Sequence, residues 1–172
     1  MLILVTGGSR SGKSGFALQT GMRYEPPRVF LATAQAFDEE MGSRIEAHRR
    51  SRPEGWSVVE EPRDVPAALR TALASAGTVL VDCVTLWISN LILADDAFDE
   101  TAAAARAEEL ADVSAGTARA VIVVTNEVGS GVVPDNALAR RFCDCAGRAN
   151  QILARAAAEV HFLVSGIALT IK

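Results

Sequence analysis

The chain has 172 residues, 49% of them hydrophobic, with 17 Lys+Arg against 21 Asp+Glu and a formal net charge of −4. That length is enough to bury a substantial core without disulfides or structural metal, and residues 1–172 are expected to form a single domain. With a pI near 5.2 the molecule as a whole does not attract nucleic acid, so any polyanion binding has to come from a local patch.

In chain order, the apolar run over 2–6 in MLILVTGG predicts a strand covered on both faces. It is short and has no basic leader, so it does not read as a secretory signal. A helix is predicted over 13–22 and a strand over 29–32. Residues 38–52 predict a helix that opens on Asp38, Glu39 and Glu40, acids suited to a helix N-terminus, and stops at Pro53. A weaker strand signal covers 56–59. A helix over 65–75 follows, with Val65, Leu69 and Leu73 four apart.

The strand predicted over 78–81 runs into the longest apolar stretch, 79–93. Asp82 and Asn90 interrupt it, and it is too short to span a bilayer, so a cytoplasmic protein without membrane insertion is expected. Residues 98–117 read as an Ala- and Glu-rich helix and 120–125 as a buried strand. The turn-rich segment NEVGSGVVPDN covers 126–136. The longest helix, 136–158, has a buried stripe of Leu138, Phe142, Ala149, Ile152, Leu153 and Ala156. A strand over 160–164, a turn at Gly166 and a weaker strand over 167–171 would add an antiparallel edge hairpin. Strands alternating with helices imply an α/β fold with a mostly parallel, doubly wound sheet.

Cys83, Cys143 and Cys145 are odd in number and lack the paired spacing of a zinc site, which implies reduced thiols. Of the 17 basic residues, 15 are arginine, so Lys13 stands out: the only other lysine is Lys172.

Lys13 lies in Gly7-Gly-Ser-Arg-Ser-Gly-Lys-Ser14, a full match to G-x-x-x-x-G-K-S between a predicted strand and a predicted helix. Gly7, Gly8 and Gly12 allow the backbone to wrap so that N–H groups point at a phosphate, with Ser9, Arg10 and Ser11 completing the loop. The helix that follows adds its positive end. Lys13 would reach the outer phosphates and Ser14 would ligate Mg²⁺. Asp82, closing the apolar Val79–Val81 run, supplies the strand-end acid that such a metal needs. The fold expected is therefore a P-loop NTPase-type, RecA-like sheet flanked by helices. The segment after strand 120–125 reads TNEVG and has no guanine-reading N-K-x-D tetrad, which counts against a regulatory GTPase. The absence of a basic surface counts against a DNA-acting ATPase. A small-molecule kinase or transferase remains.

One of the two histidines, His48, sits in SRIEAHRRSRP with Arg44, Arg49, Arg50 and Arg52 within nine residues. On a helix Arg44, His48 and Arg52 share one side. A solvated basic helix accounts for this pattern. So does a nucleophile: a neutral imidazole can attack a nucleotide's α-phosphate, and flanking guanidiniums would offset the developing charge and disfavour His⁺.

Taken together, ILVTGGSRSGKS (3–14), LATAQAFDEEM (31–41), RIEAHRRSRP (44–53), VLVDCVTLWISNLIL (79–93) and VTNEVGSGVVPDNALARRF (124–142) make the chain resemble the bifunctional adenosylcobinamide kinase/adenosylcobinamide-phosphate guanylyltransferase family of cobalamin biosynthesis. The resemblance runs essentially end to end. It implies phosphorylation of adenosylcobinamide by ATP or GTP, then transfer of GMP from GTP through a guanylylated histidine, with pyrophosphate released and adenosylcobinamide-GDP formed. It places that histidine at His48. Gly7–Ser14, Thr33, Ala34, Gln35, Arg49, Arg50, Ser51, Arg52, Glu60 and Asp82 become nucleotide contacts, with Ser14 and Asp82 at the metal. Glu60 is a candidate to read the guanine edge, as a carboxylate accepting from ring N–H and amino groups. The resemblance also implies a homo-oligomer, a trimer. The chain departs from the family pattern at Gly15-Phe-Ala-Leu-Gln19, where an Arg and an acid are usual, and at Cys143 and Cys145. A glycine inside a helix costs about 1 kcal/mol relative to alanine.

Overall fold

The computed structural model of the chain describes residues 1–35, 39, 42 and 54–172. Seven strands form one sheet: β1 (Leu2–Gly7), β2 (Arg28–Ala32), β3 (Trp56–Glu60), β4 (Thr78–Asp82), β5 (Ala120–Val124), β6 (Glu159–Val164) and β7 (Ile167–Thr170). Their order is β3-β2-β4-β5-β1-β6-β7. Six strands are parallel, and β7 returns antiparallel to β6 as the edge hairpin expected from the Gly166 turn. The described helices are α1 (Lys13–Gly21), α2 (Val65–Leu73), α3 (Val84–Ala94), α4 (Glu100–Ala115) and α5 (Ala137–Ala156). The helix expected over 38–52 lies outside the described residues, apart from helical Glu39 and Gly42.

Alternation along the strands divides the core in two, since successive side chains point to opposite faces. Leu2, Leu4, Val29, Leu31, Val79, Val81, Val121 and Val123 join one cluster with Leu69, Trp87, Ile88, Leu110 and Leu153 of α2 to α5. Ile3, Val5, Phe30, Leu80, Ile122 and Val124 join the other, which includes Ala17 and Leu18 of α1. Both sets are almost fully buried. A central strand therefore carries no polar face, which is why the strands read as unbroken Val/Ile/Leu runs.

One element differs from the sequence expectation. The apolar stretch after Asp82 is the separate helix α3, which starts at Val84. Its residues Val84, Thr85, Trp87, Ile88, Asn90 and Ile92 are buried, so it lacks the polar face that makes a helical period visible. No described helix is long and apolar enough to cross a membrane.

Leu110 of α4 is fully buried in the larger cluster. Leu110→Ala should lower unfolding free energy by about 2–5 kcal/mol, the range for removing a buried leucine side chain. A urea titration checks this: the midpoint should fall while the slope stays unchanged.

Candidate active site

Because six strands are parallel, their carboxyl ends open on one edge, where α/β sheets bind ligands. The register aligns Glu60, Ala32, Asp82 and Val124 across β3, β2, β4 and β5, with Val124 opposite Val5 of β1. The chain leaves β1 two residues later, at Gly7. β5 lies between β1 and β4, so the segment that follows it emerges between the glycine-rich loop and Asp82.

The glycine-rich loop has the curvature its sequence calls for. Gly7 has φ of +147°, and a Cβ there would lie 2.4 Å from the Leu163 carbonyl oxygen of β6 and 3.0 Å from Ser11 Oγ. Gly12 caps α1 with φ of +93° and offers no side-chain cap, so no side chain competes for the helix's first N–H groups. Arg10 is also left-handed, at φ +56°, a conformation that costs a residue with a Cβ about 1–2 kcal/mol. The β6–β7 turn braces the loop from outside: Gly166 N–H donates to Ser11 O at 3.0 Å.

Lys13 is only 7% exposed. Its Nζ donates to Gly8 O at 2.6 Å and to Ser11 Oγ at 3.4 Å, which folds the ammonium back over the loop. Burial lowers its pKa from the usual lysine range, while neighbouring Cys83 and Asp82 oppose that shift. The Cys83 thiol is pushed up to about 12, mainly by burial and then by the Asp82 charge. Cys83 is therefore neutral at physiological pH, which leaves Asp82 as the neighbour whose charge opposes the downward shift at Lys13.

Thr33, expected to line the nucleotide pocket, has 0% exposure. Its hydroxyl donates to Cys83 O and accepts from Cys83 N–H, each at 2.8 Å. Its N–H donates to Asp82 O at 3.1 Å. Thr33 thus ties the end of β2 to the Asp82–Cys83 step, with its hydroxyl engaged on both sides by the Cys83 peptide groups. Ala34 and Gln35 follow it, half-buried. Glu60 is exposed at the end of β3, four strand spacings or about 19 Å from β1. Ser14, half-buried, stands beside Lys13 in the first turn of α1. His48, Arg44, Arg49, Arg50, Ser51 and Arg52 lie outside the described residues.

A buried polar network underlies this edge. Asn90 Nδ2, on α3, donates to Thr33 O at 2.8 Å and to Pro62 O at 3.0 Å, joining the segments that follow β2 and β3. Thr125 Oγ1 donates to Asn150 Oδ1 at 2.7 Å, and Asn150 Nδ2 returns to Asn126 O at 3.0 Å. Asn126 N–H donates to Thr85 Oγ1 at 2.8 Å. Since the Thr125 proton is committed to Asn150, Thr85 is the donor in the 3.4 Å contact between the two threonines. The sequence marks Asn90 only as a polar break in an apolar run and does not mark Thr85, Thr125 or Asn150. The available signal was an isolated polar residue inside an apolar run, which must find partners if buried.

The departures noted in the sequence leave this geometry intact. Nothing lies within 4 Å of a Cβ built at Gly15. Cys145 is buried, Cys143 half-buried, and neither forms a disulfide.

The family model for cobinamide kinase / cobinamide phosphate guanyltransferase matches residues 3–171. The chain belongs to that family. Relatives of the cobinamide kinase family include the bifunctional adenosylcobalamin biosynthesis protein CobU of Salmonella typhimurium strain LT2, 42% identical over 182 aligned positions that cover all of both chains. The Pseudomonas aeruginosa protein CobP, carrying the same description, is 40% identical over 169 positions, covering 98% of this chain and 96% of its own. Among solved structures, an ATPase of a bacterial type III secretion system superposes with a TM-score of 0.58 at 12% identity, covering 98% of this chain and 56% of that one. The VirB11 ATPase of the Brucella suis type IV secretion system gives 0.50 at 13%, covering 99% and 47%. The chain spans about half the length of these two ATPases, and at such identities the likeness concerns the fold alone.

Two substitutions test this edge. Gly7→Ala places a methyl on the Leu163 carbonyl at a φ unsuited to alanine, and should raise the nucleotide Kd at least about tenfold by opening the loop, read by titration calorimetry. Thr33→Val keeps the shape but leaves the Cys83 peptide groups without their partner, a loss of about 1–3 kcal/mol. The expected readout is a lower Tm with nucleotide Kd changed less than about threefold; a Kd rise at unchanged Tm would instead make Thr33 a ligand contact.

Proposed function

We propose that this chain phosphorylates the aminopropanol hydroxyl of adenosylcobinamide, using ATP or GTP. It then transfers GMP from GTP to the new phosphate, forming adenosylcobinamide-GDP and releasing pyrophosphate. The observation that carries this reading is the phosphate loop with Lys13 turned back over it and Asp82 closing the strand two places from β1, in a chain matched by the family model over residues 3–171.

In the kinase step Gly7, Gly8, Ser9, Arg10, Ser11 and Gly12 wrap the phosphates with peptide N–H groups, and Lys13 offsets the charge of the outer ones. The Ser14 hydroxyl and the Asp82 carboxylate would hold Mg²⁺. The fit rests on donor chemistry: both are hard oxygen ligands, and among the described residues no cluster of three or more His, Cys, Asp or Glu forms a closed metal cage. Magnesium keeps waters and substrate phosphates as its remaining ligands, so one carboxylate and one hydroxyl suffice. When bound it neutralises phosphate charge.

In the guanylyl step His48 attacks the α-phosphorus of GTP. An N–P bond forms, the bond to the bridging oxygen breaks, and pyrophosphate leaves with the electron pair. A phosphate oxygen of the corrinoid then attacks the same phosphorus and displaces the imidazole. Arg49, Arg50, Ser51 and Arg52 supply charge and hydrogen bonds to the phosphoryl oxygens. Ala34, Gln35 and Glu60 contact the nucleotide away from its terminal phosphates.

Incubation with GTP labelled at the α-phosphorus should leave an alkali-stable, acid-labile label on the protein. γ-Labelled GTP should leave none, and His48→Ala should reduce α-labelling more than about 100-fold. A wild-type level of α-label on that variant would remove His48 as the carrier. No label on the parent protein would leave a kinase without the transferase.

A further inference from the structure

We propose that Glu127 is the group that takes the proton from the corrinoid hydroxyl in the kinase step, a role that rests on the kinase half of the function above. The argument starts from sheet order. Among the described residues, the carboxylates on the segments leaving strands at the ligand edge are Glu39 after β2, Glu60 closing β3 with Glu61 and Asp64 after it, Asp82 closing β4, and Glu127 and Asp135 after β5. Glu39 is separated from its strand by several residues. Asp64 pairs with Arg106 at 2.8 Å, and Asp135 stands at the far end of its segment, just ahead of α5. The transferred phosphoryl group is held by the loop after β1. Glu60 is about 19 Å from that strand, four spacings away. The Glu61 carboxylate accepts the N–H groups of Arg63 and Asp64, each at 2.9 Å, ahead of α2. Asp82, two spacings away, opposes the downward shift at Lys13 and occupies the position of a metal acid. Glu127 follows β5, the neighbour of β1.

Its position is set by several anchors. The Glu127 N–H donates to Gly7 O at 3.0 Å, a direct tie to the first residue of the phosphate loop. The preceding residue is held on both sides, its N–H by Thr85 and its carbonyl by Asn150. The carboxylate is oriented by the Gly129 N–H, which donates to Oε1 at 2.8 Å. A Cβ at Gly129 would lie only 3.2 Å from that oxygen. The side chain is exposed, so an acceptor approaching the phosphate loop from solvent can reach it. Beyond this rigid root the segment runs out to exposed Val132 and Val133, an apolar border beside the path of a large corrinoid.

The step balances as follows. The hydroxyl oxygen forms a bond to the γ-phosphorus as its proton passes to the Glu127 carboxylate. The bond from that phosphorus to the β,γ-bridging oxygen breaks, and the nucleoside diphosphate leaves with the electron pair. Glu127 then returns the proton to water.

The test uses the full chain and separates the two reactions: phosphorylation of cobinamide by GTP, and guanylylation of cobinamide phosphate supplied ready-made. For Glu127→Gln the expected result is a kcat for phosphorylation lower by about 100-fold, with KM for both substrates within about threefold. Guanylyl transfer to the phosphorylated acceptor should keep its rate, because that nucleophile has no proton to lose. Glu127→Asp, which retains the carboxylate one methylene shorter, should recover part of the kinase rate. The proposal fails if Glu127→Gln phosphorylates within about threefold of the parent. It also fails if both reactions decline together, since Glu127 would then serve only to hold the loop. A parent protein that does not phosphorylate the corrinoid at all removes the kinase reading itself, and this role with it.

Discussion

The central strands are buried on both faces, so the chain that leaves them must find partners for its peptide groups before it reaches water. An unpaired buried peptide group costs about as much as a lost hydrogen bond. At the ligand edge a few side chains meet that demand. Thr33 closes both peptide groups of Cys83, Asn90 takes the carbonyls of Thr33 and Pro62, and Asn150 with Thr85 holds Asn126. Each of these bonds crosses between segments distant in sequence. The same bonds that satisfy the backbone therefore fix the relative positions of four strand ends, and the chemistry is carried by what those ends present.

The phosphate loop depends on a second constraint, close approach. Gly7 passes so near the Leu163 carbonyl that a side chain would collide, and the β6–β7 turn reaches back to Ser11. The edge hairpin is thus a wall of the loop as well as a cover for the sheet edge. Phe16 in α1 meets His161 of β6 edge-on with centroids 5.1 Å apart, and both His161 ring nitrogens have side-chain partners in Glu159 and Thr170. That histidine works in the hairpin's structure, and the covalent carrier proposed above is the other one, His48.

Much of this was legible in the sequence because buried parallel strands leave a strong trace. All seven strands lie within a residue or two of their apolar runs, and the helix of residues 13–21 follows the loop as its glycine pattern implies. What escaped notice did so for definite reasons. Helix α3 is apolar on nearly every side and follows directly on β4, so its period merges into one run. Nothing in the sequence around Thr33 announces that its hydroxyl bonds both peptide groups of Cys83, fifty residues away. The partnership of Thr125 with Asn150 spans 25 residues, and nothing local announces it.

The sheet order also bears on how two reactions can share one edge. The kinase step concerns the terminal phosphorus of a nucleotide and the guanylyl step its α-phosphorus, so both place demands along one elongated molecule. The phosphate loop and Glu127 belong to β1 and β5, while Gln35 and Glu60 belong to β2 and β3 at the other side of Asp82. Glu60 cannot touch a phosphate seated on Lys13 across four strand spacings. If it meets the same nucleotide, it meets the end remote from those phosphates, and a carboxylate there suits the donor groups of a guanine edge. In the sequence His48 lies between Gln35 and β3. On the proposed function, strand order divides the labour: terminal phosphate and proton removal beside β1 and β5, base contact beside β2 and β3, with Asp82 between them.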